Sequence, residues 1–169
     1  MYMTTTASKE LIQAINNSIS DILKNIEGLD EKVIRWNPTE EEWSIMQIIS
    51  HLNEAIPYWL GEIKRVITEP GSKWGRGLDD ESRLAAVSNP DELIIEEEIV
   101  KLKNIQQQVS DCLIQLSNSQ LSAENPHRNF DKFGYKPVSF IINHFLVEHV
   151  NKHYVQIQRN LNKWNSVDN

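Results

Sequence analysis

His149 and His153 stand four residues apart in the run His149-Val150-Asn151-Lys152-His153. On a helix that spacing puts two side chains on one face, so both imidazoles can reach a single metal ion. Ile142, Phe145, Leu146, Val150, Ile157, Leu161 and Trp164 define an apolar stripe through the same region, and both histidines lie on it. Burying an imidazole in such a stripe is unfavourable unless its nitrogens are satisfied, and a metal satisfies one nitrogen of each ring. The residue after the first histidine is Val150. A zinc-protease helix needs a glutamate there as general base, so the pattern does not support peptide hydrolysis by that route. A third ligand has to come from another helix. His51, three residues after Ile48 and four before Ala55, is the best placed of the remaining histidines. Neutral imidazoles suit zinc, nickel, iron or copper far better than magnesium or calcium. Three protein ligands leave a coordination position open, the arrangement of a catalytic zinc site.

Blander readings stand beside these. A lone inward histidine is ordinarily a hydrogen-bonded core residue, which is an alternative for His51, and a bare HxxxH spacing is a short motif. His144 lies five residues before His149, which on a regular helix turns it away from the pair and makes it a surface or packing residue. His127 follows Pro126 in a loop; it could overhang the site, but it reads first as a solvated loop histidine. Glu54 and Tyr58, three and seven residues after His51, and Gln156, three after His153, are the candidate helpers. Each could orient a ligand's second nitrogen or touch a substrate, whereas Glu54 alone reads as a solvated charge and Tyr58 as a packed aromatic. Cys112 reads as a small buried core residue, with no basic neighbour to lower its pKa. Arg76 and Lys73 sit in a glycine-bearing loop and read as solvated charges that could meet an anionic substrate.

The elements that must position these residues follow from periodicity. Leu11, Ile15, Ile19, Ile22, Ile26 and Leu29 alternate in steps of four and three, which predicts an amphipathic helix over 7–29 with Gly28 near its end. Ser44-Ile45-Met46-Gln47 reads as a capping box, with Trp43 and Ile48 placed as a hydrophobic staple, and opens a helix to about residue 68 that Pro57 should kink. Residues 69 to 90 read as a loop with a short helical turn over 79–86. Asn89-Pro90-Asp91-Glu92 has the chemistry of a helix start, and Ile95, Ile99, Leu102, Ile105, Val109, Cys112 and Leu116 form the buried side of that third helix. A second loop covers 118–136, and Pro137 opens a final helix to about Trp164. No strand-like alternation of useful length stands out. The fold class is therefore all-α: a four-helix bundle with two long loops, in a single domain over 1–169.

The chain has 169 residues, 40% of them hydrophobic and 24% charged, enough for one core of good size. A net charge of −7 argues against nucleic acid, whose binding rests on cationic contacts. No apolar run approaches the roughly 20 residues that cross a bilayer. The opening Met1 to Thr6 lacks the basic start and apolar stretch of a secretory leader, so a cytoplasmic address is expected. One cysteine excludes an internal disulfide.

Trp43-Ser44 followed by His51-Leu52, together with the closing Glu148-His149-Val150-Asn151-Lys152-His153-Tyr154-Val155-Gln156-Ile157, resembles the DinB-like superfamily of four-helix-bundle metalloproteins. That superfamily includes YfiT-like metal-dependent hydrolases and the bacillithiol and mycothiol S-transferases. The resemblance runs over essentially the whole chain in helix order and loop placement. It departs at Val155, where members often have glycine. It implies His51, His149 and His153 as metal ligands for a divalent transition metal, zinc first and nickel, iron or manganese next. It further implies a metal-dependent enzyme, a thiol S-transferase that activates a low-molecular-weight thiol. The alternatives are a hydrolase of a small substrate and a non-catalytic metal- or ligand-binding protein. The expected partner is a small molecule, with no nucleic acid or membrane, and the oligomeric state is open, a homodimer included.

Overall fold

The computed structural model describes residues 5–167, so Met1 to Thr4, read above for a leader, lie outside the described residues. The first helix, α1, spans Thr6–Ile26; the Thr5 hydroxyl accepts from the Ser8 amide at its start, and Gly28 at φ 72° follows its end. Only glycine adopts that left-handed backbone without a Cβ penalty, which is why the helix stops there. A short helix, α2 (Glu31–Arg35), precedes α3 (Ile45–Thr68), and both halves of the Ser44/Gln47 capping box are formed. Pro57 lies inside α3.

The short turn foreseen in the first loop is α4 (Glu81–Ser88), capped by the Asp80 carboxylate. The Asn89-Pro90-Asp91-Glu92 signal starts only a 3-10 turn over Pro90–Glu92. The long third helix, α5, begins later and spans Ile95–Leu113, with Glu96, Glu97 and Glu98 in its first turn. The signal had the right chemistry, but two acidic clusters compete for one helix start and the second adjoins the apolar stripe. The second loop holds α6 (Asn118–Ser122), β1 (Glu124–Pro126), α7 (Phe130–Phe133) and β2 (Tyr135–Pro137). β1 and β2 pair antiparallel with Asn125 opposite Lys136, a ribbon the sequence reading did not expect because three-residue strands cannot display a period. The final helix runs through α8 (Val138–Ile142), a π-helical segment (Asn143–Glu148) and α9 (His149–Val167).

α1 packs against α5 and α9, α3 packs against α5, and α4 lies on α3. Ile15, Ile19 and Ile22 of α1 meet a core to which Leu102, Ile105 and Val109 of α5 and Val150 and Ile157 of α9 contribute, all fully or almost fully buried. The four long helices form a four-helix bundle whose apolar stripes close on one another. The two long loops are tied together at Trp74: its amide donates to Pro126 O at 3.1 Å and its indole Nε1 to Asn125 O at 2.9 Å. Among the described residues no helix is long and apolar enough to cross a membrane.

Candidate metal centre

His51 rides on α3 two turns after the capping box, and His149 and His153 open α9. Their Nε2 atoms converge: His149 Nε2 lies 3.0 Å from that of His51 and 3.0 Å from that of His153. The three rings pack edge to face, with centroids 4.7–5.0 Å apart. His51 and His153 are buried, at 3% and 7% exposure. Burial, the largest cause, holds the pKa of His51 down to about 2 and that of His149 to about 3, and it lowers His153 as well. The neighbouring imidazoles add to the shift at His51 and His149. All three rings are therefore neutral near pH 7, the form in which an imidazole nitrogen offers a lone pair.

Hydrogen bonding alone does not satisfy this cluster. His153 Nδ1 lies 2.8 Å from Gln156 Oε1, an acceptor, so the ring proton sits on Nδ1 and Nε2 carries a lone pair. A proton on His149 Nε2 can bond to one of its two neighbours but not well to both. The Nδ1 atoms of His51 and His149 are buried and have no hydrogen-bond partner. The Phe145 carbonyl opposes the lowering of the His149 pKa without making a bond of normal geometry to Nδ1.

Above the imidazoles opens a cleft of about 660 Å³. Trp43, Trp59 and Phe145 form its aromatic wall. Trp43 stacks on His153 at 6.1 Å and 15° and sits 5.0 Å from the His51 ring. Asn160 donates to the Trp43 carbonyl at 2.9 Å, fixing that residue to α9. Trp59 stacks on Phe145 at 3.9 Å. From sequence, Trp43 reads only as a staple and a family mark. That its ring also forms a wall follows from the crossing of α3 and α9, which periodicity does not contain.

Of the candidate helpers, Gln156 touches the site and lines the cleft. Glu54 does not reach an imidazole: both its oxygens bind Arg76, at 2.8 and 2.5 Å. Tyr58 donates to Glu62 Oε1 at 2.8 Å and lies under the Arg76 guanidinium, so it too is engaged away from the rings. Burial and the Glu62 carboxylate push its pKa up. Arg76 is no solvated loop charge; its side chain is 5% exposed and neutralised by Glu54 and Asp80. Lys73 is exposed, as expected.

Two histidines differ from their sequence readings. His127 is 5% exposed, packed edge-on against Trp74 at 4.4 Å, with Nδ1 accepting from the Asn129 amide at 2.9 Å. It is a core residue of the joined loops, because its neighbours come from a loop about 50 residues earlier. His144 is an exposed residue packed on Phe140 and Phe145, as read, but it also lines the cleft rather than turning away from it. The reason is the π-helical segment: its i→i+5 hydrogen bonds widen the turn and bring residues five apart closer to one face than a regular helix does. Cys112 is buried, and burial raises its pKa.

A family model described as the DinB superfamily matches residues 14–157. Among solved structures the chain is similar to YfiT from Bacillus subtilis, described as "a probable metal-dependent hydrolase with an unusual four-helix bundle topology". The match has a TM-score of 0.79 at 13% identity and covers 98% of this chain and 92% of that one. At that identity the likeness is one of fold. No curated protein matches the sequence.

Proposed function

The chain belongs to the DinB superfamily, and from that premise we propose that His51, His149 and His153 hold one divalent transition metal for attack on a small-molecule electrophile. The observation that carries the proposal is the convergence of the Nε2 atoms of three neutral imidazoles at the floor of an open cleft. One cation held by His51, His149 and His153 together would remove the proton conflict described above. Zinc suits this donor set first, with nickel, iron or manganese next. When bound, such a metal supplies a Lewis acid and lowers the pKa of water, or of a thiol, into the neutral range.

The protein's own part is orientation and exclusion of water. Gln156 accepts the Nδ1 proton of His153 and so turns Nε2 toward the common point. Trp43, stacked on His153, limits the ring's rotation and gives an apolar substrate group a surface to lie on. Hydrolysis of a small substrate is the first reading, supported by what is said of YfiT. Conjugation of a low-molecular-weight thiol is the second, and a specific observation favours it. Of the acids that line the cleft, Glu42 is paired with Lys163, Glu148 lies against His144 and Glu41 is exposed, so each is engaged or solvated, and a thiol captured as thiolate needs no general base afterwards. A single domain and a cytoplasmic address go with either reading.

The test begins with metal analysis of untagged protein, then turnover screens with esters and amides and with thiols plus electrophiles. Metal-dependent hydrolysis supports the first reading and metal-dependent conjugation the second. A protein fully loaded with metal but inactive in both screens is a binding protein.

A further inference from the structure

Four cationic side chains line the cleft: Arg76, Arg83, Lys152 and Arg159. They are not equivalent. Arg76 is matched by two carboxylates, Glu54 and Asp80. Lys152 and Arg159 are exposed on α9. Arg83 is half-buried, and among the described residues its guanidinium makes no ion pair; its one hydrogen bond runs from Nη1 to the Leu78 carbonyl at 2.9 Å.

The lack of a partner is built into the local structure. Glu81, the nearest acid in sequence, is exposed and makes no ion pair with Arg83 among the described residues. Asp80, one residue further back, has its Oδ1 already used twice, by the Arg83 backbone amide at 3.1 Å as cap of α4 and by Arg76 Nη1 at 3.1 Å. α4 is itself pinned to α3: Ser50 Oγ donates to Ala86 O at 2.6 Å and Gln47 Nε2 to Val87 O at 3.0 Å. Arg83 is thus carried on a helix fixed to the one that bears His51. Its positive charge contributes to the lowered pKa of all three imidazoles.

The acids that share the cleft do not cancel it. Glu42 is paired with Lys163 at 2.8 Å, Glu148 lies 3.2 Å from His144 Nδ1, and Glu41 is exposed. An uncompensated guanidinium beside a centre suited to a dication is electrostatically unfavourable on its own. An anion between the two removes the conflict. Guanidinium binds carboxylate and phosphate oxygens through a planar fork, whose two parallel charge-assisted bonds add geometric specificity to the charge.

We propose that Arg83 is the anion-recognition residue of the cleft and that the small molecule bound there carries a carboxylate or phosphate group. This rests on the reading of the cleft as a substrate site and names the chemical class of its occupant.

The test is calorimetric titration of succinate and, separately, of inorganic phosphate into metal-free protein, so that no anion can be held by the metal. Wild type is expected to bind one of the two, and the preferred probe tells a carboxylate from a phosphate ligand. Arg83→Gln should weaken that binding at least tenfold, and Arg83→Lys, which keeps the charge but loses the fork, should weaken it less. Lys152→Gln should change it little. Wild-type protein that binds neither anion, or Arg83→Gln binding as well as wild type, overturns the proposal. If Arg83→Gln does not fold, an Arg83→Lys affinity equal to that of wild type overturns it and a clear loss supports it. Metal content of the same variants separates the two ideas. Full metal with no anion binding sinks the Arg83 role alone, and anion binding in a protein that never loads metal sinks the metal centre alone.

Discussion

At the scale of single residues, the imidazoles and the glutamine behind one of them make the sharpest expectations. His149→Ala or His153→Ala should remove most of the roughly one transition-metal ion per chain expected in untagged protein, measured by elemental analysis after dialysis; unchanged content in both would place the ligands elsewhere. Gln156→Ala should keep the ion but bind it about 10–100-fold more weakly in a competition titration, because His153 loses the acceptor that fixes its tautomer. A Gln156→Ala affinity equal to wild type would mean the contact is incidental. Cys112 makes the opposite case. Its Sγ is buried, 3.8 Å from the Leu60 carbonyl, and burial raises its pKa, so it is no nucleophile at neutral pH. Cys112→Ala should leave turnover unchanged in whichever screen succeeds. Lost activity with metal and fold intact would move the nucleophile onto the protein.

At the scale of elements, two devices hold the site in register. One is the capping box of α3, where Ser44 Oγ accepts from the Gln47 amide at 3.2 Å and Gln47 Oε1 accepts from the Ser44 amide at 3.0 Å. Ser44→Ala should cost about 1 kcal/mol, and for a chain of this size that lowers Tm by about 2–4 °C. The other is the joint between the two long loops. Gly75 has φ 98°, and a Cβ there would run into the Nε2 and Cδ2 atoms of the buried His127. Gly75→Ala therefore meets both backbone strain and a clash, and it should destabilise by about 1–3 kcal/mol or more in denaturant melts. It should also loosen the loop that carries Arg76, since the Gly75 amide donates to Glu62 Oε1 at 3.1 Å. A melt superimposable on wild type would show that His127 has room to move.

For the whole molecule, metal and protons compete for the same nitrogens. His51, His149, His153 and His127 all have pKa values lowered by burial as the first cause. In the unfolded chain each returns to about 6.5. The unfolded state then binds more protons than the folded one whenever the pH is below that value. Stability of the metal-free protein should be complete above about pH 6.5 and fall as pH drops below it, by up to about 1.4 kcal/mol per pH unit for each histidine that titrates only on unfolding. His51→Ala should flatten that dependence in urea melts between neutral and mildly acidic pH; an identical slope would show that burial of this ring is not what the acid sensitivity reports. Chelation should lower Tm and leave the helical circular dichroism intact. An ion present at about 100 times its Kd adds about 2.7 kcal/mol, while the apolar core does not depend on it. Complete unfolding on chelation would make the centre structural.

The local parts of this protein were legible in its sequence because their causes are local. The stripe through Ile15, Ile19, Ile22 and Ile26, the Ser44/Gln47 capping box and the stop at Gly28 depend on residues within a turn or two of one another. The same applies to the pairing of His149 with His153 and to the contact of Gln156 with His153, both set by helical repeat. His51 was placed from its position between two inward residues, since a face of a helix that must be buried can be read without knowing what covers it. What lay beyond the sequence depended on contacts between distant segments or on a break in the repeat. Arg76 reads as a loop charge until α3 brings Glu54 against it, 22 residues earlier in the chain. His127 reads as solvated until Trp74 closes over it. His144 points away on a uniform helix, and only the π-helical segment turns it into the cleft. Periodicity fixes which face of an element is buried, whereas the identity of its neighbour, and any departure from 3.6 residues per turn, is settled by packing in three dimensions.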